Sequence, residues 1–268
     1  MNLKHVTALT DLLNQQVHTY NNKSFIENDP ISIPHLFSKK FDIEISALFA
    51  ATLSWGNRRA ILKSCNLLMQ QMDFDPYQFV MHANDFELKH ISHFVYRTFN
   101  AHDCKSFVMS LRQTYQQKGL QSLFAYSTSN TIYKHVAYQH PLAIMIFNFR
   151  QNFIQSFTHQ RTAKHIGNPY NNSTAKRICM FLRWMVRNDK YGVDFGLWNH
   201  ISKADLICPL DVHSGRVARQ LGLLQRQQND WKAAVELTEN LKLINPTDPV
   251  IFDFALFGMG VNNKIKSV

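Results

Sequence analysis

The chain is poor in features that would announce several common classes of protein. Its four cysteines, Cys65, Cys104, Cys179 and Cys208, are scattered over 268 residues, and no two of them form a CxxC pair. That spacing argues against zinc or iron–sulfur ligation and for reduced, buried thiols, which predicts a cytoplasmic protein without a metal or other cofactor. Thirteen histidines are present, but no HExxH pair sets two of them on one helix face. No apolar run reaches the ~18 residues that a membrane-spanning helix needs, so nothing in the chain is expected to span a membrane. The opening MNLKHVTALTDLLNQQ lacks the unbroken apolar core of a secretory signal. Acidic charge is scarce as well: 19 Asp+Glu face 29 Lys+Arg, a formal net charge of +10. Such an excess favours a polyanion, nucleic acid or an acidic membrane surface, without choosing between them.

Strand-like alternation between turn dipeptides is scarce too, and no Gly/Ser linker, low-complexity tract or fixed-period repeat divides the chain. What is present is helical periodicity. Residues 44–53 (EISALFAATL) place Ile45, Leu48, Phe49, Thr52 and Leu53 on one face. Further helices are predicted at about 59–72 and 103–117, with a buried one opening at Pro141. Ser173-Thr174 is the predicted cap of AKRICMFLRWMVR. Asp211 should cap a helix ending at Gly222, and Asp248-Pro249 should open another. The expectation is an all-α protein, one helical body with two lobes.

Three segments carry unusual chemistry. In Trp55-Gly56-Asn57-Arg58-Arg59, a turn joins two apolar helices, and its arginines stand at a helix N-terminus, where cations oppose the helix dipole. A side chain on such a turn suits a wedge entering a base stack; Trp55 packing beneath its own turn is the other reading. In the second segment, basic residues including Lys164 and His165 precede a Gly/Asn/Pro turn and a helix start bearing Lys176 and Arg177. Backbone N–H groups and cations there make a phosphate seat, or simply a solvated cationic face. Lys176 and Arg183 are seven residues apart and share that helix's face. The third segment is PLDVHSGRVAR. Asp211 stands at a helix start, where N–H donors keep a carboxylate ionised, with His213 and Arg216 behind it. A lone capping aspartate is usually structural; the basic groups behind this one make it a candidate for chemistry.

PLDVHSGRVARQLGL resembles the stretch that carries the essential aspartate in the helix-hairpin-helix DNA glycosylases, the superfamily of endonuclease III and the 8-oxoguanine glycosylases. STAKRICMFL resembles the end of their hairpin, where some members place a nucleophilic lysine, and AATLSWGNRRAILK resembles their early helix-turn-helix. The three matches keep the superfamily's order from about residue 44 to 260. MFLRWMVR, CPLDVH and DPVIFDFALFGMG look more closely like an uncharacterised bacterial domain-of-unknown-function family within that superfamily. The usual Leu-Pro-Gly-x-Gly hairpin is replaced by Gly167-Asn168-Pro169-Tyr170-Asn171-Asn172, there is no iron–sulfur tail, and an extra segment, KYGVDFGLWNHISKADLI, separates Lys176 from Asp211.

The resemblance implies a two-lobed glycosylase fold with an atypical hairpin. One lobe would comprise about residues 1–40 and 189–268, the other 41–188, with Lys176 and Asp211 on opposite lips of a groove. It implies a monomer that removes a damaged, for instance oxidised, base from double-stranded DNA. Lys176 would form a Schiff base with the sugar and Asp211 would stabilise the developing positive charge. Trp55, Asn57, Arg58, Arg59, Lys164, His165, Arg177, His213 and Arg216 would contact DNA. Trp184, Trp198 and Phe181 join Trp55 and His213 as candidates to stack on a flipped base. Three alternatives stay open: base excision alone through water activated by Asp211, a catalytically silent DNA-binding module, and RNA binding.

Overall fold

The computed structural model describes residues 3–126 and 136–262. Among these residues the strands amount to one two-residue antiparallel pair, Val95–Tyr96 with Phe99–Asn100; the rest is helix, 3-10 turn and loop. Helices α1 (Leu3–Tyr20) and α2 (Lys23–Glu27) lead into the 3-10 turns Pro30–Ser32 and Pro34–Leu36. Then come α3 (Lys40–Leu53), α4 (Arg58–Gln71), α5 (Pro76–His82), α6 (Ala101–Gln117) and α7 (Pro141–Phe153). The last four are α8 (Lys176–Val186), α9 (Val212–Gln220), α10 (Trp231–Lys242) and α11 (Asp253–Asn262).

The chain forms two units, one comprising Met1–Glu27, Tyr133–Leu142 and Asn168–Val268, the other Asn28–Ile132 and Ala143–Gly167. The first is called unit one, the second unit two. The resemblance places the division at about residues 40 and 188. In the structure residues 28–40 join unit two because both 3-10 turns pack on α3. Residues 168–188 join unit one because the cations of α8 are paired within it.

Unit two is built around α3, which is buried from Asp42 to Leu53 without interruption. A helix apolar on nearly every side has to sit inside, and α4, α5 and the two 3-10 turns surround this one. An aromatic core continues from Phe49 through Phe107 and Phe153 to Phe149 and Phe124, with ring centroids 4.3–5.9 Å apart. Helix α6 starts two residues before the sequence expectation because Asn100 and Asp103 form a reciprocal capping box.

In unit one, α11 packs against both α9 and α1, while α10 packs on the 3-10 turn Pro249–Phe252. The α1–α11 contact needs Gly258: a Cβ there would stand 2.2 Å from the Tyr20 ring. The extra segment after α8 has little regular structure but belongs to the core. Phe195 and Trp198 donate backbone N–H bonds of 2.8 and 2.9 Å to the carbonyls of Trp184 and Met185. Trp198, Trp184 and Phe181 are all fully buried, so none of the three is a surface platform for a base.

Two predicted caps differ. Helix α8 begins at Lys176 itself, preceded by Ala175 in the left-handed region at φ 48°. Ser173 and Thr174 instead accept hydrogen bonds from the N–H groups of Ala175 and Lys176, at 3.1 and 3.3 Å. Asp248 does not cap the turn that follows it; its carboxylate takes the Arg187 Nε–H, 3.0 Å from Oδ2. A buried guanidinium needs a counter-charge more than a helix needs one cap, which is worth about 1 kcal/mol.

Candidate functional site

Helix α8 carries Lys176 and Arg183, seven residues apart on one side, and Arg187 follows as its C-cap residue. Each is met by acids. Lys176 Nζ lies 2.7 Å from Asp211 Oδ2. Arg183 pairs with Asp194 and Asp253, and Arg187 with Asp189, Asp194 and Asp248. Both guanidiniums lie over the Phe254 ring, 4.4 and 5.5 Å from its centroid. The face that carries Lys176 and Arg183 is therefore not a solvated cationic stripe: Arg183 is 3% exposed and Arg187 fully buried. Lys176, with 27% of its side chain exposed, is the open end of the row.

Asp211 is the N-cap of α9. Its Oδ1 accepts from the N–H groups of His213 and Ser214 at 2.8 and 2.9 Å, and Ser214 Oγ accepts the Asp211 N–H at 2.9 Å. One oxygen is thus occupied by the cap and the other faces Lys176. Burial alone would raise this carboxyl, but the Lys176 ammonium and the two N–H donors outweigh it and hold it below the usual range. A carboxylate fixed in its ionised form, 2.7 Å from an amine, can stabilise positive charge that develops beside it.

These two residues, 35 positions apart, meet within one unit rather than facing each other across a groove. Arg177 follows Lys176 and is half-buried; burial brings its guanidinium down to about 10, so it stays charged at neutral pH. Helix α8 therefore opens with two cations at its positive end. His213 is exposed on the first turn of α9. Arg216 is exposed and donates from Nη2 to the Gly260 carbonyl at 2.8 Å, tying α9 to α11.

The remaining candidates lie in unit two. Asn57 caps α4 by accepting from the Ala60 N–H at 3.2 Å, and Arg58 and Arg59 form the first turn. Together with Asn28 and Leu62 they line a shallow cleft of about 530 Å³. Trp55 packs beneath its turn: its ring stacks on His165 at 5.8 Å and meets Tyr96 edge-on at 5.2 Å. The Tyr96 hydroxyl donates to the Trp55 carbonyl at 2.5 Å. Gly56, Asn57 and Arg59 are the exposed residues of this turn, and Arg58 is half-buried. Lys164 is exposed. His165 is not a surface contact: it is 3% exposed, 3.3 Å from the buried Asp103 and edge-on to Phe99. Asp103 also binds Arg161 and Thr162 at 2.7 and 2.6 Å. The second basic segment is thus divided, with Lys164 and His165 in one unit and Lys176 and Arg177 in the other.

Sequence reasoning missed Asp253, Asp194 and Arg97. Asp253 pairs with Arg183, which shares a side of α8 with Lys176. Arg97 adopts φ 54° between the two short strands. Its guanidinium occupies the space over Gly56, itself at φ 99°, where a Cβ would come within 2.3 Å of it. Among the described residues no group of three or more His, Cys, Asp or Glu could hold a metal ion, and no helix is long and apolar enough to cross a membrane.

A family model described as "Protein of unknown function (DUF2400)" matches residues 29–262. No curated protein and no solved structure matches the chain.

Proposed function

The chain belongs to the DUF2400 family, whose description names no reaction, and we propose that its site removes a damaged base from duplex DNA and then opens the sugar through a lysine Schiff base. The observation that carries this reading is the 2.7 Å contact between Lys176 and Asp211. It joins an amine and an ionised carboxylate at the starts of two helices, both part-exposed. The order of the three segments that resemble helix-hairpin-helix glycosylases agrees with it. So does the net charge of +10.

The target base leaves the stack, at a cost of a few kcal/mol that cationic contacts to phosphate offset. Lys176 reacts as its neutral amine, its proton lost to water, and attacks C1′ of the sugar; the bond from C1′ to the base breaks and the base departs with its electron pair, taking up a proton from water. The negative charge of Asp211 stabilises the cationic sugar meanwhile. The amine, now bonded to C1′, opens the ring to a Schiff base, from which the strand is cut by elimination. Arg58, Arg59, Lys164 and Arg177 would hold phosphates, and the protein would act as a monomer in the cytoplasm.

Borohydride trapping on duplexes carrying 8-oxoguanine, thymine glycol or an alkylated purine tests the reading. Wild type should give a covalent adduct. Lys176→Gln should give none, and Asp211→Asn should lose at least about a hundredfold in excision while keeping its affinity, since Asn caps a helix about as well as Asp. Full excision by Asp211→Asn defeats the assignment. The ion pair also suits a second reading, in which it only ties α8 to α9 in a silent DNA-binding protein. That reading predicts binding to every duplex and an adduct with none.

A further inference from the structure

Only residues 54–57 separate α3 from α4, and Trp55 anchors them. Its carbonyl accepts the Tyr96 hydroxyl at 2.5 Å, and the Tyr96 ring meets the indole edge-on. The His165 ring lies stacked against the same indole, with centroids 5.8 Å apart and planes 29° from parallel. Past Trp55 the chain comes to the surface, and Asn57 and Arg59 are exposed.

His165 is fixed from behind. Its Nε2 lies 3.3 Å from Asp103 Oδ2, and its ring meets Phe99 edge-on at 5.0 Å. Asp103 is fully buried and is held by the Asn100 N–H at 3.0 Å, Arg161 Nη2 at 2.7 Å and the Thr162 hydroxyl at 2.6 Å. Arg161 also donates to the Thr98 carbonyl at 3.1 Å, which ties the strand pair that supplies Tyr96 to the same centre. A buried anion behind a basic surface weakens that surface's attraction for a polyanion, so charge does not account for Asp103; anchoring does. All of these residues belong to unit two.

We propose that His165 is a positioning residue for DNA: it touches no nucleic acid, and its ring beneath Trp55 holds the α3–α4 turn so that Arg59 meets a phosphate in an orientation fixed beforehand. A preformed contact avoids the entropy of ordering the turn on binding. The stack also joins this turn to residues 160–165, which carry the exposed Lys164. Stacking requires a flat ring, so a phenyl group should serve in place of the imidazole, whereas leucine, similar in volume, should not. The inference rests on the turn's being part of the DNA surface.

The test compares His165→Phe with His165→Leu, both of which lack the contact with Asp103. Hydrogen exchange of the Ala60 and Ile61 amides, which bond to the side chain and carbonyl of Asn57, reads the turn in the protein alone. In His165→Leu these amides should exchange up to about tenfold faster than wild type, with those of α5 in the same unit unchanged. In His165→Phe they should stay near wild type. On any duplex, His165→Leu should reduce the slope of log affinity against log salt by about one, as Arg59→Ala should. The double variant should lose no more than Arg59→Ala alone, because the ring acts through that arginine. A merely structural role would loosen α5 equally and would add to the Arg59 effect. Trp55→Phe and Trp55→Leu make the same comparison from the other ring if His165→Leu does not fold. Exchange at the turn unchanged in the leucine variants, fully additive losses, or phenylalanine behaving as leucine overturns the proposal. Neither measurement needs base excision, so a failure to trap DNA removes the glycosylase reading alone. A salt slope that Arg59→Ala itself leaves unchanged removes the turn from the DNA surface and overturns the proposal with it.

Discussion

Asp211 and Asp253 share a neighbourhood but are displaced in opposite directions, and stability against pH should show both. Burial acts on each. At Asp211 the ammonium of Lys176 and two N–H groups overcome it, so the folded carboxyl lies below its unfolded value. Its stabilising contribution is present above the unfolded value and is lost as pH falls through the lower, folded one. At Asp253 burial prevails and the folded carboxyl rises to about 6. Between about pH 4 and pH 6 the folded protein holds a proton there that the unfolded chain has released, so this contribution is lost as pH rises through that window. Urea unfolding at a series of pH values should show Asp253→Asn free of that decline. The difference between the proteins should change by at most on the order of 3 kcal/mol across it. A constant difference from pH 4 to pH 7 would mean that Asp253 ionises as easily folded as unfolded.

At the scale of elements, the α1–α11 contact is the least forgiving. Gly258→Ala would set a methyl 2.2 to 2.5 Å from three carbons of the half-buried Tyr20 ring, so the ring or one of the two helices must shift. We expect a loss of about 1–3 kcal/mol from overpacking, read as a lower thermal midpoint. Gly56→Ala should cost about 1–2 kcal/mol for a different reason: its φ of 99° is unfavourable to any Cβ, while the Arg97 guanidinium above it can move aside. Elements whose causes are local were legible in the sequence. The Asp211 cap could be read because an aspartate followed three residues later by a serine closes a box with its own backbone. The all-α class and the centre of α3 followed from periodicity alone. Asp248 was misread because its partner, Arg187, is 61 positions away. Nothing in the residue itself marks Ala175 as left-handed, so the start of α8 was placed too early. The Lys176–Asp211 pairing came from resemblance, and Asp253 was missed because only tertiary contact brings Arg183 to it.

Over the whole molecule the basic excess should govern association with DNA. Each phosphate contact releases counterions, so Arg58→Ala and Arg59→Ala should each weaken binding and reduce the slope of log affinity against log salt by about one. Fluorescence anisotropy at several salt concentrations measures this, and slopes equal to wild type in both variants would take the α3–α4 turn out of the interface. The paired charges of α8 have a further consequence, for the order in which the protein can be made. Lys176, Arg183 and Arg187 precede Asp189, Asp194, Asp211, Asp248 and Asp253 in the chain, so each cation leaves the ribosome before the acids that pair with it. Unit two is complete once Gly167 is out, whereas α1 must wait for α11, the helix it packs on. A chain stalled with residues up to Ala175 outside the tunnel should therefore protect α3 to α6 from protease while α1 is still cut. Early translation products should thus carry unit two together with an α1 whose packing partner, α11, comes after every other described helix in the chain.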